Sequence, residues 1–521
     1  MNEDTLGQDN RKRLQAITTQ GLERRQTPQE LLLILASAVD DAIPYRLLPV
    51  ADVLIAKQAR HDAALVAFAS LSSRERSQGQ HEAALDSDQL VKLIQTNLLI
   101  IPSYSTEQDA TRQSLIGEAA LACIKAICYS EQRTLDNSAL LSIIPYTDPA
   151  DPWTTPVASH LAQSLLGTHL TQEMVSDFVT DTVLQAYLRP LFAKASSSKV
   201  TASGRTAQFP DNAASRNKMS EAAPWKNAGR GGYQAVASFH WAVKTSSETL
   251  ISSQWPLFTP PLFTIAEDAE TSYRRRGLET LSIFIDKFPS QKLQSTGIGN
   301  IIQEVVFPTL MFLPSITPES ESASLLHPAY RALLTLAKSV PNRNNPTRQQ
   351  LLHKLLREGV FAGFHHASEF PLVVQTLMEH AADIIGQLGL AAVKHLQHLW
   401  DMFSVILTDP FVFTRPQVVI VSIAALKATL ESCWPRMLDP AHAEKVTSIV
   451  AICWLNLHDQ DSVSSLSGDD KEQITYQLKE LCEGLHAIWE ANHTDIYTKV
   501  AGTLQQHPQL AGLFPKPNLA S

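Results

Sequence analysis

The sequence predicts an all-α fold, an α-solenoid of divergent HEAT- or armadillo-like helix pairs, and three observations carry that prediction. Apolar residues recur three or four positions apart in nearly every long segment, the spacing of one helix face. Strand signals are weak: few runs alternate with period two, and the hairpin dipeptides Asn-Gly and Asp-Gly are absent. Beyond residue 234, helix-length segments follow at about two per forty residues, the period at which a helix pair needs its neighbours to complete a core.

Taken in order, TPQELLLILASAVDDA (27–42) sets a capping box, Thr27 to Glu30, directly before an apolar run. Segments 87–101, 107–129 and 171–189 are also helix-length, and a polar gap at 70–88 breaks up the N-terminal part. Composition shifts near residue 193. From Lys194 to Arg230 there are seven basic and two acidic residues among many Ser, Ala, Gly and Asn. So few apolar groups cannot offset the entropy of ordering, so 193–233 reads as a basic Ser/Gly-rich loop or linker. Phe209 and Trp225 are the residues placed to anchor it. It separates an N-terminal helical region, 1–192, from a C-terminal repeat array, 234–521. In the array the expected helices are 257–267 with 271–288, 298–313 with 318–339, then 347–364, 370–387, 389–408, 415–433, 439–457 and 470–491.

Composition narrows the function classes. Hydrophobic residues make up 44% of the chain, enough for most of it to bury a core. A net charge of −9 gives no long-range attraction to nucleic acid or to an anionic membrane, so any basic partner surface must be local. Five scattered cysteines (Cys123, Cys128, Cys433, Cys453, Cys482) fit a reducing compartment better than a disulfide framework. The start, MNEDTLGQDNRKRL, has no apolar signal core, and the most apolar run, VVIVSIAAL at 418–426, is far short of a membrane span. The expectation is a soluble protein of the cytoplasm and nucleus.

IAEDAETSYRRRGLETL (265–281) supplies the clearest repeat signal. Pro260 and Pro261 lie in a first apolar helix. Asp268, Glu270, Tyr273, Arg274 and Gly277 lead into a second, with Leu278, Leu281 and Ile285 on the stripe of Arg274. Asp268 is placed to accept hydrogen bonds from the first amides of that helix. Arg274 is placed to pack its stem while its guanidinium reaches an aspartate. The three consecutive arginines do not form one basic patch, because about 100° of rotation per residue spreads them around the helix. Arg275 and Arg276 are therefore expected to be solvated or partner-facing. Trp225 with Lys226, Trp255 and Trp434 are the other partner-binding candidates, each weighed against core packing.

Features that resemble catalytic or ligand chemistry are incomplete. His395 and His398 are three apart but lack a third ligand at a motif spacing, and His365 with His366 takes the same discount. Cys123 and Cys128 match neither a redox nor a zinc spacing. TGIGN (296–300) lacks a Walker lysine and a preceding strand, so it reads as a helix-start loop with Asn300 near the cap. GRGG (229–232) is a single Arg-Gly-Gly in a basic loop, weak as an RNA signal. No catalytic residue, cofactor site or metal site is expected.

Several phrases in combination carry a family resemblance: LRPLF (188–192), VTASGR (200–205), PWK (224–226), FHWAV (239–243), WPLFTPPLFTIAEDAETSYRRRGLETLSIFI (255–285), TGIGNIIQEVVFPTLMFLPSITPESES (296–322), AYRALLTLA (329–337) and Cys-Trp-Pro-Arg (433–436). In these the chain resembles the Tel-two-interacting protein two family, especially its fungal members. The resemblance implies a non-catalytic scaffold, the third subunit of the Triple-T complex with Tel-two and Tel-two-interacting protein one. That complex works with the heat-shock ninety chaperone to mature phosphatidylinositol-3-kinase-related kinases. Through them it touches DNA-damage signalling, telomere maintenance and growth control, and in fungi the ASTRA complex that holds the related pseudokinase. Two other classes stay open at this stage. One is a HEAT-repeat transport receptor or cargo adaptor, marked by nucleotide-sensitive binding to the Ran GTPase. The other is an all-α enzyme, marked by convergent acidic or histidine clusters.

Overall fold

The computed structural model describes residues 134–192, 224–227, 232–459, 466–491 and 507–514, with scattered positions between 91 and 128. The expected helix at 27–42, the gap at 70–88, Phe209, Cys123, most of 87–101 and 107–129, and most of the 193–233 loop lie outside the described residues. What is described is all helix and turn, with no strand, as helix pairs of the HEAT/armadillo kind. The chain divides into two compact units, Met1–Ile265 and Ala266–Ser521. The sequence-based divisions at 193 and 233 were drawn on composition, a different criterion.

In the first unit the labelled helices are α1 (Asn137–Ile143), α2 (Pro156–His169), α3 (172–192), α4 (Gly232–Thr245) and α5 (Glu248–Ala266), the last ending at the unit boundary. Asp136 caps α1 by accepting the Ala139 amide at 2.7 Å, and Thr155 caps α2 by accepting that of Ala158 at 3.0 Å. The middle of α3, Phe178–Leu188, is wound in wide π turns. Helix α4 is buried on most sides and packs on α3 and on the turn Ile144–Tyr146. Aromatic edges lock it there: Trp241 meets Phe178 edge-on at 6.1 Å, and Tyr233 meets Trp153 at 5.3 Å. Helix α5 is bent at Gln254, two residues before Pro256, where proline disfavours helical geometry in the residues preceding it.

The second unit is a two-layer stack. One layer holds α6 (Thr271–Lys287), α8 (Glu319–Ser339), α10 (Pro371–Leu388), α12 (Pro416–Cys433) and α14 (Gly468–Ala491), each packed on the next. The other holds α7 (298–311), α9 (346–367), α11 (Leu396–Leu407, led in by a 3-10 segment from Gly389) and α13 (Pro440–His458). First-layer helices start at 271, 319, 371, 416 and 468, so successive starts are 48, 52, 45 and 52 residues apart. The period is thus longer than the forty residues read from the sequence, and 3-10 turns stand at 307–311, 389–395, 410–414 and 434–438.

Helix starts are written locally. Proline opens α2, α9, α10, α12 and α13, where its missing N–H costs nothing. Asn345 and Asp439, each directly before the proline, accept the amides of Thr347 at 2.9 Å and Ala441 at 3.0 Å. One expectation is corrected here. The apolar run at 418–426 belongs to a continuous stretch, Pro416–Leu438, long and apolar enough by composition to cross a membrane. In this fold α12 instead packs between α10 and α14, which accounts for its hydropathy.

Candidate protein-interaction surface

The repeat-turn residues were placed in advance by the sequence, and the structure shows what each touches. Pro260 and Pro261 are buried inside α5. Asp268 accepts the Glu270 amide at 2.8 Å, one turn before α6, so it orders the approach to the helix and does not cap the first helical amides as expected. Arg274 is buried on the stripe with Leu278, Leu281 and Ile285. Its guanidinium donates to the carbonyls of Asp268 (2.7 Å) and Glu267 (3.0 Å) and to Thr309 Oγ1 of α7 (3.2 Å), and it lies 4.3 Å from the centre of the Phe312 ring. The expected aspartate carboxylate is replaced by backbone carbonyls, since Asp268 turns its side chain to its own turn. Burial pulls the Arg274 pKa down, opposed by the charges of Asp268 and Glu267. Tyr273 and Gly277 are buried in the same helix.

The partner-facing candidates divide. Arg276, expected to be solvated or partner-facing, is buried; its Nη1 donates to Glu279 at 3.0 Å. Arg275 is partly exposed and pairs with the same carboxylate at 3.3 Å. Trp225, also proposed for a partner, is fully buried and stacked on Phe192 at 5.3 Å, with Lys226 Nζ 5.4 Å from its ring centre. It anchors the end of the loop, the second role the sequence suggested for it. Trp255 is half-buried. Trp434 is 47% exposed in the turn after α12, so core packing does not explain it.

Sequence reasoning missed the seams between repeats. Thr271 donates to Glu321, the Leu372 amide to Glu319 at 2.7 Å, Asn456 to the Thr408 carbonyl at 3.1 Å, and Trp489 to the Met437 carbonyl at 2.9 Å. Histidines serve the same junctions. His380 and His327 are hydrogen-bonded through ring nitrogens at 3.1 Å between α10 and α8, with Tyr330 stacked on His380, and so are His353 and His395 at 2.8 Å between α9 and the lead-in to α11. Trp400 donates to His442 at 3.0 Å. Partners one repeat apart lie some forty to fifty-five residues away, so no local motif marks them.

The exposed apolar side chains were also missed, and they recur with the repeat. Met311 ends α7 and Ile316 lies in the connection from α7 to α8, Leu372 is in the first turn of α10 where the connection from α9 enters it, and Phe411 lies in the connection from α11 to α12. Each connection runs from the second layer to the first, so all four sit on one edge of the stack. Ile316 is 81% and Phe411 76% exposed. Val405 and Ile452 are exposed near the same edge, where Asn456 ties α13 to the end of α11. Leu390 and Trp434 mark two successive turns of the opposite edge. Apolar residues repeated at the turns of a stack suit an extended protein partner rather than a small molecule.

The features read as incomplete chemistry resolve as packing. His398 stacks on Phe361 at 5.4 Å, and His365 and His366 are exposed and touch edge-on. Among the described residues no three His, Cys, Asp or Glu side chains are grouped to hold a metal. Cys433, Cys453 and Cys482 are buried, which pushes each thiol up to about 12 and leaves it unreactive. In TGIGN, Gly297 adopts φ 73°, a left-handed conformation that suits glycine, where it ends helix Ser290–Thr296 and starts α7. The cap is thus Gly297, with Asn300 one turn in.

A model of the Tti2 family matches residues 139–414, more than half of the chain. The match runs from α1 to residue 414, takes in 139–180 of the first 180 residues, in which the sequence showed no motif, and ends before Cys-Trp-Pro-Arg at 433–436. No curated protein and no solved structure matches the chain.

Proposed function

The chain belongs to the Tti2 family, and from that premise we propose a scaffold that holds partner solenoids together for kinase maturation. The family is one of scaffold and co-chaperone proteins rather than enzymes, and membership carries a subunit role in the Triple-T complex. On our reading the partners are Tel-two and Tel-two-interacting protein one. The clients are kinases related to phosphatidylinositol 3-kinase, and the heat-shock ninety machinery acts through the complex. The protein would work in the cytoplasm and the nucleus, where such kinases are assembled and used.

One observation supports the reading most directly: the family match spans the repeats that present Met311, Ile316, Leu372 and Phe411 along one edge. A partner solenoid that covered this edge would bury apolar groups now facing water, at roughly 25 cal/mol per Å². The test is affinity purification from native extract with mass spectrometry, comparing wild type with an Ile316→Glu, Leu372→Glu, Phe411→Glu variant. Wild type should recover both Triple-T partners. The variant should lose one of them while keeping its melting temperature within a few degrees. Recovery of neither partner by wild type would sink the proposal.

A further inference from the structure

A groove in the second layer carries positive charge in a chain whose net charge is −9. Helix α9 presents Gln350, His353, Lys354 and Arg357 at i, i+3, i+4 and i+7, one stripe along its axis. Lys394 and His395 from the lead-in to α11 form the facing wall of an open groove of about 430 Å³. No carboxylate lines it. Glu358, one turn beyond Lys354, lies 3.8 Å from it and 3.9 Å from Arg357; it does not line the groove but offsets part of the charge. Lys394 is exposed and forms no ion pair among the described residues. The floor is the His353–His395 pair, with His395 more than nine-tenths buried. Lys354 is steadied over the Phe307 ring, 4.0 Å from its centre.

Three cations beside two histidines repel a metal ion and attract an anion, so the same residues decide the sign of the ligand. Burial first, then Lys394 and Arg357, holds His353 below its ordinary value, which agrees with a positive field in the groove. Lys354 and Arg357 stand within one turn of each other on α9, about 4.5 Å apart along the axis at 1.5 Å per residue, and Lys394 faces them from the other wall. The cations stand on both walls of the open groove, so a ligand that runs along it meets both walls. A single carboxylate leaves two cations uncompensated, while a phosphoserine brings nearly two charges and three acceptor oxygens. We infer that this groove binds a phosphorylated, acidic segment of a partner protein.

The test is fluorescence anisotropy of the full-length protein at physiological salt. The probes are a labelled Asp/Glu-rich peptide carrying two phosphoserines, its unphosphorylated twin, and inositol hexakisphosphate as competitor. The phosphopeptide should bind at least tenfold more tightly than its twin. Lys394→Glu and Arg357→Glu should each weaken it five- to tenfold with no change in melting temperature. Lys394→Glu is the cleaner variant, because Lys394 supports no other contact on this surface. Equal binding of the two peptides, or undiminished binding by both variants, overturns the inference. So does tight, Lys394-dependent binding of inositol hexakisphosphate without binding of the phosphopeptide, which would assign the groove to a free polyphosphate.

Discussion

At the scale of single residues, Arg274 shows how a charged side chain comes to be structural. Three donor groups meet three acceptors in two consecutive repeats, and an aromatic face covers the guanidinium. Arg274→Ala removes a buried side chain and leaves the Glu267 and Asp268 carbonyls of a half-buried turn without their donor, and should cost roughly 2–4 kcal/mol in urea unfolding. Arg274→Lys should recover less than half of that, since a point charge cannot reach all three acceptors. A loss under 1 kcal/mol for the alanine variant would refute the assignment. The sequence put Arg274 on the packed stripe correctly because periodicity shows which residues share a face. It misplaced Arg276 because burial at the margin of a stripe depends on how widely the neighbouring helix covers it, which one helix does not reveal.

At the scale of elements, helix limits were legible and helix spacing was not. Proline at N1 with a capping side chain before it marks the start of α13, and the expected 298–313, 318–339 and 439–457 all fall close to the observed helices. The close approach of α9 was invisible. Its Gly359 and Gly363 face Tyr330 of α8 and Leu377 of α10, and a Cβ at 359 would lie 2.7 Å from Tyr330 Oη. Tyr330 is fully buried, and its hydroxyl has no hydrogen-bond partner among the described residues. Gly359→Ala should therefore destabilise by about 1–3 kcal/mol through overpacking. Tyr330→Phe alone should be near neutral, because it removes an unsatisfied polar group. Combined with Gly359→Ala it should restore part of the loss, a positive coupling read from a double-mutant cycle. Strict additivity would place the strain elsewhere.

At the scale of the whole molecule, histidine pairs at the repeat junctions make stability depend on pH. Burial, reinforced by His327, lowers His380 from 6.5 to about 3, and burial with nearby positive groups lowers His395 to about 4. Unfolding frees both to bind protons near 6.5, so the unfolded state takes up more protons below that value. Stability is full above about pH 6.5 and falls progressively as pH drops toward these lowered values. Between pH 7.5 and 5, above most carboxylate titration, the urea midpoint should fall by an amount equal to about 2 kcal/mol or more. A His380→Gln, His395→Gln variant should start less stable at pH 7.5 and vary less across the same range. An unchanged pH slope in that variant would exonerate these histidines.

What the sequence determined by itself was largely local: helices and their prolines, the apolar stripe of α6, and phrases specific enough to point to a family. Those features repeat within a few residues of one another, inside the reach of a single helix turn. Only the tertiary structure decided which residues meet across forty to fifty-five positions. It paired His327 with His380, packed Trp225 on Phe192, and buried α12 despite its membrane-like hydropathy. It also set Ile316, Leu372 and Phe411 on one edge, and Lys394 opposite Arg357. The physical reason is that a helix specifies its own faces, whereas what each face meets depends on the register of stacking, which no local pattern encodes.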